Sequence, residues 1–107
     1  MALPTLERIE DPIAEDWWGY TTPDGRAQLT RIVIGRPAPI PDDPNGDWYC
    51  PLLLPEFFPE VQCVGGVGPV DALANAMALV KGFQDSVGGI TPRAQPPSPP
   101  GRGAPPR

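Results

Sequence analysis

Residues 63–83, CVGGVGPVDALANAMALVKGF, run from a short apolar stretch through three glycines within four positions into a helical pattern. Proteins cradle phosphate with this order of strand, glycine loop and helix. Glycine lets the backbone approach the ligand closely, and the helix N-terminus points amides at it. A dinucleotide fingerprint spaces its glycines G-x-G-x-x-G inside a βαβ unit. Here Gly66 and Gly68 supply the first half, but Asp71 occupies the third glycine position and no second strand follows the helix. A Walker loop ends in Gly-Lys-Ser/Thr, whereas Lys81 lies far down the helix. Asp71 in the first turn suits the helix dipole and repels phosphate. The spacing therefore reads as a helix entry. Gly65 and Gly66 permit a bulge or a close helix approach, Gly68 serves as cap, and Pro69 takes the first helical position. No cofactor is expected.

Other chemistry has little to work with. The chain holds no histidine, so Ser-His and Cys-His nucleophile pairs are excluded, and its only serines are Ser86 and Ser98. A carboxylate pair among Glu56, Glu60, Asp42, Asp43 and Asp47 is conceivable for acid/base work, but all five sit in turn-like sequence where acids are ordinarily solvated. PDDPNGD alternates Asp43, Asn45 and Asp47 as a calcium loop does, yet position six is Trp48 rather than glycine and position twelve is Leu54 rather than glutamate. Cys50 and Cys63 lie on strands that would pair around PEFFP. They are placed opposite one another or one step apart, as a reduced pair in the core or as a redox pair. Zinc would need two further ligands, so no metal site is expected. In the tail, Arg93-x-x-Pro96-x-x-Pro99 and Pro97-x-x-Pro100-x-Arg102 match ligands of proline-binding adaptor domains, at a density of proline that yields such matches by chance.

The elements that must position these residues follow from periodicity. Residues 5–16 mix acids with Leu6, Ile9 and Ile13 at helical spacing, cut by Pro12, and read as a loose acidic lead-in with at most one helical turn. WWGYTT, the turn PDGR and AQLTRIVIG form a β-hairpin, with Thr30, Ile32 and Ile34 on one face. After a proline-rich loop, GDWYCPLLL is a third strand with Trp48, Cys50, Leu52 and Leu54 on one face. Pro51 demands an edge or a bulge there. EVQCVGGV is a fourth strand. From Pro69 to about Ser86, Leu73, Ala76, Met77, Val80 and Phe83 form one apolar stripe, and Gly88-Gly89 ends the helix. The expected fold class is α+β: an antiparallel meander of about four strands covered on one face by a single C-terminal helix. Residues 1–16 are the lead-in, 17–90 the single domain and 91–107 a disordered proline-rich basic tail.

Bulk composition limits the function. With 107 residues there is room for one domain, and the tail, with seven prolines in 17 residues, adds nothing to a core. A body of this size hides roughly 60–65% of its unfolded-state surface, so an oligomer interface would help it. The tail carries Arg93, Arg102 and Arg107 and no acid, while the rest sets 13 acids against five bases, a net charge of −8. An acidic body repels nucleic acid and anionic membranes. No stretch reaches 18 apolar residues and the acidic N-terminus lacks the apolar core of a secretory signal, so a cytoplasmic protein is expected. Seven arginines to one lysine, amid much Pro, Gly and Ala, is the usage of a GC-rich bacterial genome.

The hairpin, the Gly46-Asp47-Trp48-x-Cys50 strand and the Gly68-x-x-Asp71-Ala72-Leu73 helix entry together resemble a small bacterial domain family of unknown function. The resemblance covers roughly residues 9–86 and includes the loop at Arg36-Pro37. It departs from the family by one residue at Pro69-Val70. It implies a fold and supplies no activity, with Trp48 and Cys50 packing at the sheet–helix seam. The expected function is therefore non-enzymatic: an acidic protein-interaction module, of immunity or inhibitor type, for an unidentified and basic protein partner. The candidate surface is Trp17, Trp18 and Tyr20 with Phe57 and Phe58, since neighbours on a strand alternate faces and one of each adjacent pair should be exposed. The alternative is a small enzyme or accessory subunit using carboxylates or the Cys50/Cys63 pair. Homodimerisation through an open sheet edge is compatible with either.

Overall fold

The turn Thr22-Pro23-Asp24-Gly25 sets the first hairpin. Proline presets its own φ, and Gly25 takes the left-handed conformation (φ 86°) that other residues resist. Two backbone bonds close the turn, Gly25 N to Thr22 O and Thr22 N to Arg26 O, each 2.9 Å. The flanking strands, β1 (Pro12–Thr21) and β2 (Ala27–Gly35), pair antiparallel with Trp18 opposite Thr30 and Asp16 opposite Ile32. The structure, a computed structural model, describes residues 2–87. The expected helix stop at Gly88-Gly89, the 91–107 tail and its two proline motifs lie outside the described residues.

The lead-in is shorter than the sequence suggested, because β1 starts at Pro12 and not at Trp17. Proline loses no ladder bond at the first position of a strand, and a register shift between Pro12 and Ala14 absorbs it. Two ion pairs tie the start of β1 to β2 and the residue after it, Glu15 to Arg31 and Asp11 to Arg36 (Oδ2–Nε 2.6 Å). Residues 2–11 form no helical turn. Ile9 instead lies against Gly35 beside Pro51: a Cβ added at Gly35 would sit 2.8 Å from Ile9 Cγ2 and 2.9 Å from Pro51 Cγ.

The remaining strands are β3 (Ala38–Pro39), β4 (Trp48–Leu54) and β5 (Phe58–Gly66). β4 is the centre of the sheet. β5 runs antiparallel along it with Cys50 opposite Val64, while β2 and β3 pair with its two halves. Pro51 explains that division. Three steps along β4, from Leu52 to Tyr49, answer to four along the partner chain, from Ile34 to Ala38. The extra residue is a bulge beside Pro51, as a strand that lacks one donor requires. The Cys50 thiol donates to the carbonyl of Gly35 in that bulge (3.5 Å). The result is α+β: four long strands in meander order with one short addition.

The helix α1 (Pro69–Val87) crosses β4 and β5 on one face. Ala72, Ala76 and Val80 are buried with Ile32, Ile34, Cys50, Leu52 and Leu54, and Trp18, Trp48, Leu73 and Phe83 pack against this cluster. Two alanines at the contact let the helix approach the sheet closely. Met77, expected in the stripe, is 40% exposed. It projects from the flank facing β1, because a helix about 10 Å wide cannot cover strands spaced about 4.8 Å apart across a four-stranded sheet. No helix among the described residues is long and apolar enough to cross a membrane.

Candidate interaction surface

The glycine segment is occupied by the fold itself. A Cβ at Gly66 would lie 2.3 Å from Ala72 N and 2.6 Å from Ala72 Cα, so the helix rests directly on the end of β5. Ala72 N donates to Gly68 O (2.9 Å), which makes Gly68 the N-cap, and Asp71 Oδ2 accepts from Val67 N (2.9 Å). The carboxylate stands where an anion would have to bind.

The two cysteines do not form a pair. Cys63 is opposite Pro51, the neighbour of Cys50, so the thiols leave the sheet on opposite faces. Cys50 is in the helix-side core and Cys63 is half-buried on the other face, which overturns both the shared core position and the redox pair. Burial pushes both thiols above the ordinary thiol range, and for Cys50 the charge that Cys63 would carry adds to the rise. Neither has the stabilised thiolate of a nucleophile.

The acids are dispersed too. Asp42, Asp43 and Asp47 belong to the loop before β4 and Glu56 to the turn after it, so the seven residues of the strand separate them by about 20 Å. Asp43 Oδ2 accepts from Asp47 N (2.8 Å), while Asp42 (φ 57°) and Gly46 (φ 67°) shape the turn. Among the described residues no group of three or more His, Cys, Asp or Glu could hold a metal ion.

The five candidate aromatics separate into two sets, and none is fully exposed. Tyr20, Phe57 and Phe58 join Phe83 of α1 in a ring cluster, with centroids 5.1 Å apart for Tyr20–Phe57, 4.2 Å for Phe57–Phe83 and 5.6 Å for Phe58–Phe83. These rings close the far end of the helix–sheet seam. The expectation of an exposed member in each adjacent pair fails because the helix and the turn after β4 fold around them. Trp17 lies on the opposite face of the sheet beside Leu29 and Glu56. Trp18 points to the helix side, and its indole Nε1 donates to Asp16 Oδ2 (2.9 Å).

Trp18 marks a feature that the sequence reading missed. Between α1 and β1 runs an apolar groove of about 280 Å³. Ala14, Trp18, Ile32 and Ile34 form its sheet side, Met77 and Val80 its helix side, with Glu15, Asp16, Lys81 and Gln84 on the rim. The signal was present in the helix: Met77, Lys81 and Gln84 share one flank beside Val80, a mixed edge rather than the centre of a core stripe.

Charge around this groove is one-sided. Each of the five bases among the described residues already pairs with an acid: Arg8–Glu10, Arg26–Asp24, Arg31–Glu15, Arg36–Asp11 and Lys81–Asp85. Eight of the 13 acids are left without a cationic partner there. Comparison of the chain with known protein families, curated proteins and solved structures gave no match. The resemblance noted from the Gly46-Asp47-Trp48 and Gly68…Asp71 motifs therefore rests on those short motifs alone.

Proposed function

We propose that the protein is a non-enzymatic recognition module that holds a basic protein partner by an apolar anchor in the β1–α1 groove. The observation that carries this reading is the groove itself, an uncovered apolar strip in a surface whose cations are all engaged internally. Its volume is below the usual range of small-molecule sites, about 300–1,000 Å³, and suits one or two side chains of a protein. Lysine and arginine flanking such an anchor would meet the unpaired carboxylates, which favours fast association and rejects acidic competitors. An acidic domain that covers a basic surface is also the form an immunity protein or inhibitor takes.

Selection from a displayed random-peptide library tests the proposal. Selected peptides should converge on one large apolar residue flanked by Lys or Arg. Their affinity should fall with added salt and drop at least tenfold in Met77→Lys, which puts a cation on the rim without touching the core. No convergence, or binding indifferent to both salt and Met77→Lys, would sink it.

A further inference from the structure

The sheet has two outer edges, and their chemistry differs. The β1 edge is acidic, with Glu15 and Asp16 in the strand and Glu10 and Asp11 just before it. It also begins with Pro12 and a register shift, and the Trp17 amide is held by its neighbour's carboxylate, Asp16 Oδ1, at 2.8 Å. Charge, proline, a bulge and a self-satisfied amide are the means by which an edge avoids pairing with another chain. A second copy brought antiparallel against β1 would set acids opposite acids, which is destabilising.

The β5 edge is protected only at its start. Pro59 lacks a donor, and the register against β4 is irregular between Phe58 and Gln62. From Gln62 to Gly66 the strand is regular, and the sequence from Val61 to Val70 contains no charged residue. Apolar side chains stand open around this stretch. Val67, directly after the strand, is 77% exposed, and Leu79 of α1 is 43% exposed. Leu79 overhangs β5, since it lies one turn beyond Asn75, whose Nδ2 donates to Gly65 O (2.9 Å), and on the flank opposite the β1 groove.

We infer that a second copy of this chain pairs antiparallel with the outer edge of β5 between Gln62 and Gly66, making one continuous sheet with both helices on the same face. The occupant follows from charge. Another copy is as acidic as the first, so it is repelled wherever carboxylates line the surface, and among the sheet edges only β5 offers it a neutral strip. A two-fold axis perpendicular to the sheet makes the contact self-complementary and brings the two Leu79 side chains towards one seam. The β1–α1 groove stays open at the far side of each copy, so this inference is independent of the proposed recognition role.

Sedimentation equilibrium of the full chain decides it. The expected mass is twice the 11.4 kDa of one chain. Val67→Lys and Leu79→Lys, both at exposed positions, should each raise the dimer dissociation constant at least tenfold with an unchanged circular-dichroism spectrum. Ile13→Lys on β1, also at an exposed position, should leave it unaltered. A monomer at every concentration would overturn the inference. So would a dimer that Ile13→Lys dissolves and the two β5-side variants do not.

Discussion

Cys50 and Cys63 show how much one step of register decides. A pair directly opposite would share a face and could approach disulfide geometry; one step apart, they stand on opposite faces of the same sheet. Burial then sets their chemistry, because a low-dielectric site disfavours the thiolate and raises the pKa of each. The folded chain therefore holds its thiol protons to higher pH than the unfolded chain does. It follows that stability is unaffected by these groups below the ordinary thiol value of about 8.5 and declines as pH rises towards and through their raised values. Urea midpoints from pH 7 to pH 10 should fall at the alkaline end, and a Cys50→Ala/Cys63→Ser double variant should lose most of that fall. Thiol labelling of the native protein should be slow, with Cys63 ahead of the fully buried Cys50. A midpoint that rises with pH, or a disulfide formed between the two without unfolding, would contradict the geometry.

At the scale of elements, the junction of β5 and α1 carries the sharpest prediction. Gly66→Ala drives a Cβ into the backbone of Ala72 and Asp71, atoms that no side-chain rotation can move. The helix must lift from the core, at a cost in the overpacking range of about 1–3 kcal/mol or above. Gly68→Ser, two residues on, meets nothing within 4 Å and keeps a competent N-cap, so it should shift stability by no more than a few tenths of a kcal/mol. Chemical denaturation of the two variants side by side tests whether the glycines serve helix entry; equal effects would refute it. These elements were legible in the sequence because their signals are local. Pro-Asp-Gly fixes the hairpin, alternation gives the strand faces, and 3.6-residue periodicity gives the helix. Pro51 even announced its bulge. Local patterns do not tell how far a layer extends. The start of β1 depended on ion pairs between strands, the burial of the aromatics on a turn folding against the helix end, and the exposure of Met77 on the helix being narrower than the sheet.

For the molecule as a whole, the competing terms are five exposed ion pairs and an excess of eight acids. Each exposed pair contributes about 0–1 kcal/mol and acts over a few ångströms, well inside any screening length. Repulsion among the remaining carboxylates acts over longer distances and is the part that salt removes. The Debye length shrinks from about 30 Å at 0.01 M to about 8 Å at 0.15 M ionic strength. Repulsion should therefore weaken more than attraction, and the folded state should gain. The midpoint of thermal unfolding is expected to rise between these two salt concentrations, by about 4–8 °C for each kcal/mol of relief in a domain of this size. The same screening should weaken a basic ligand in the β1–α1 groove, so stability and affinity must move in opposite directions with salt. If the melting point falls instead, the ion pairs dominate and the acid excess is too weak a field to select a basic partner. The groove would then have to be explained by its apolar lining alone.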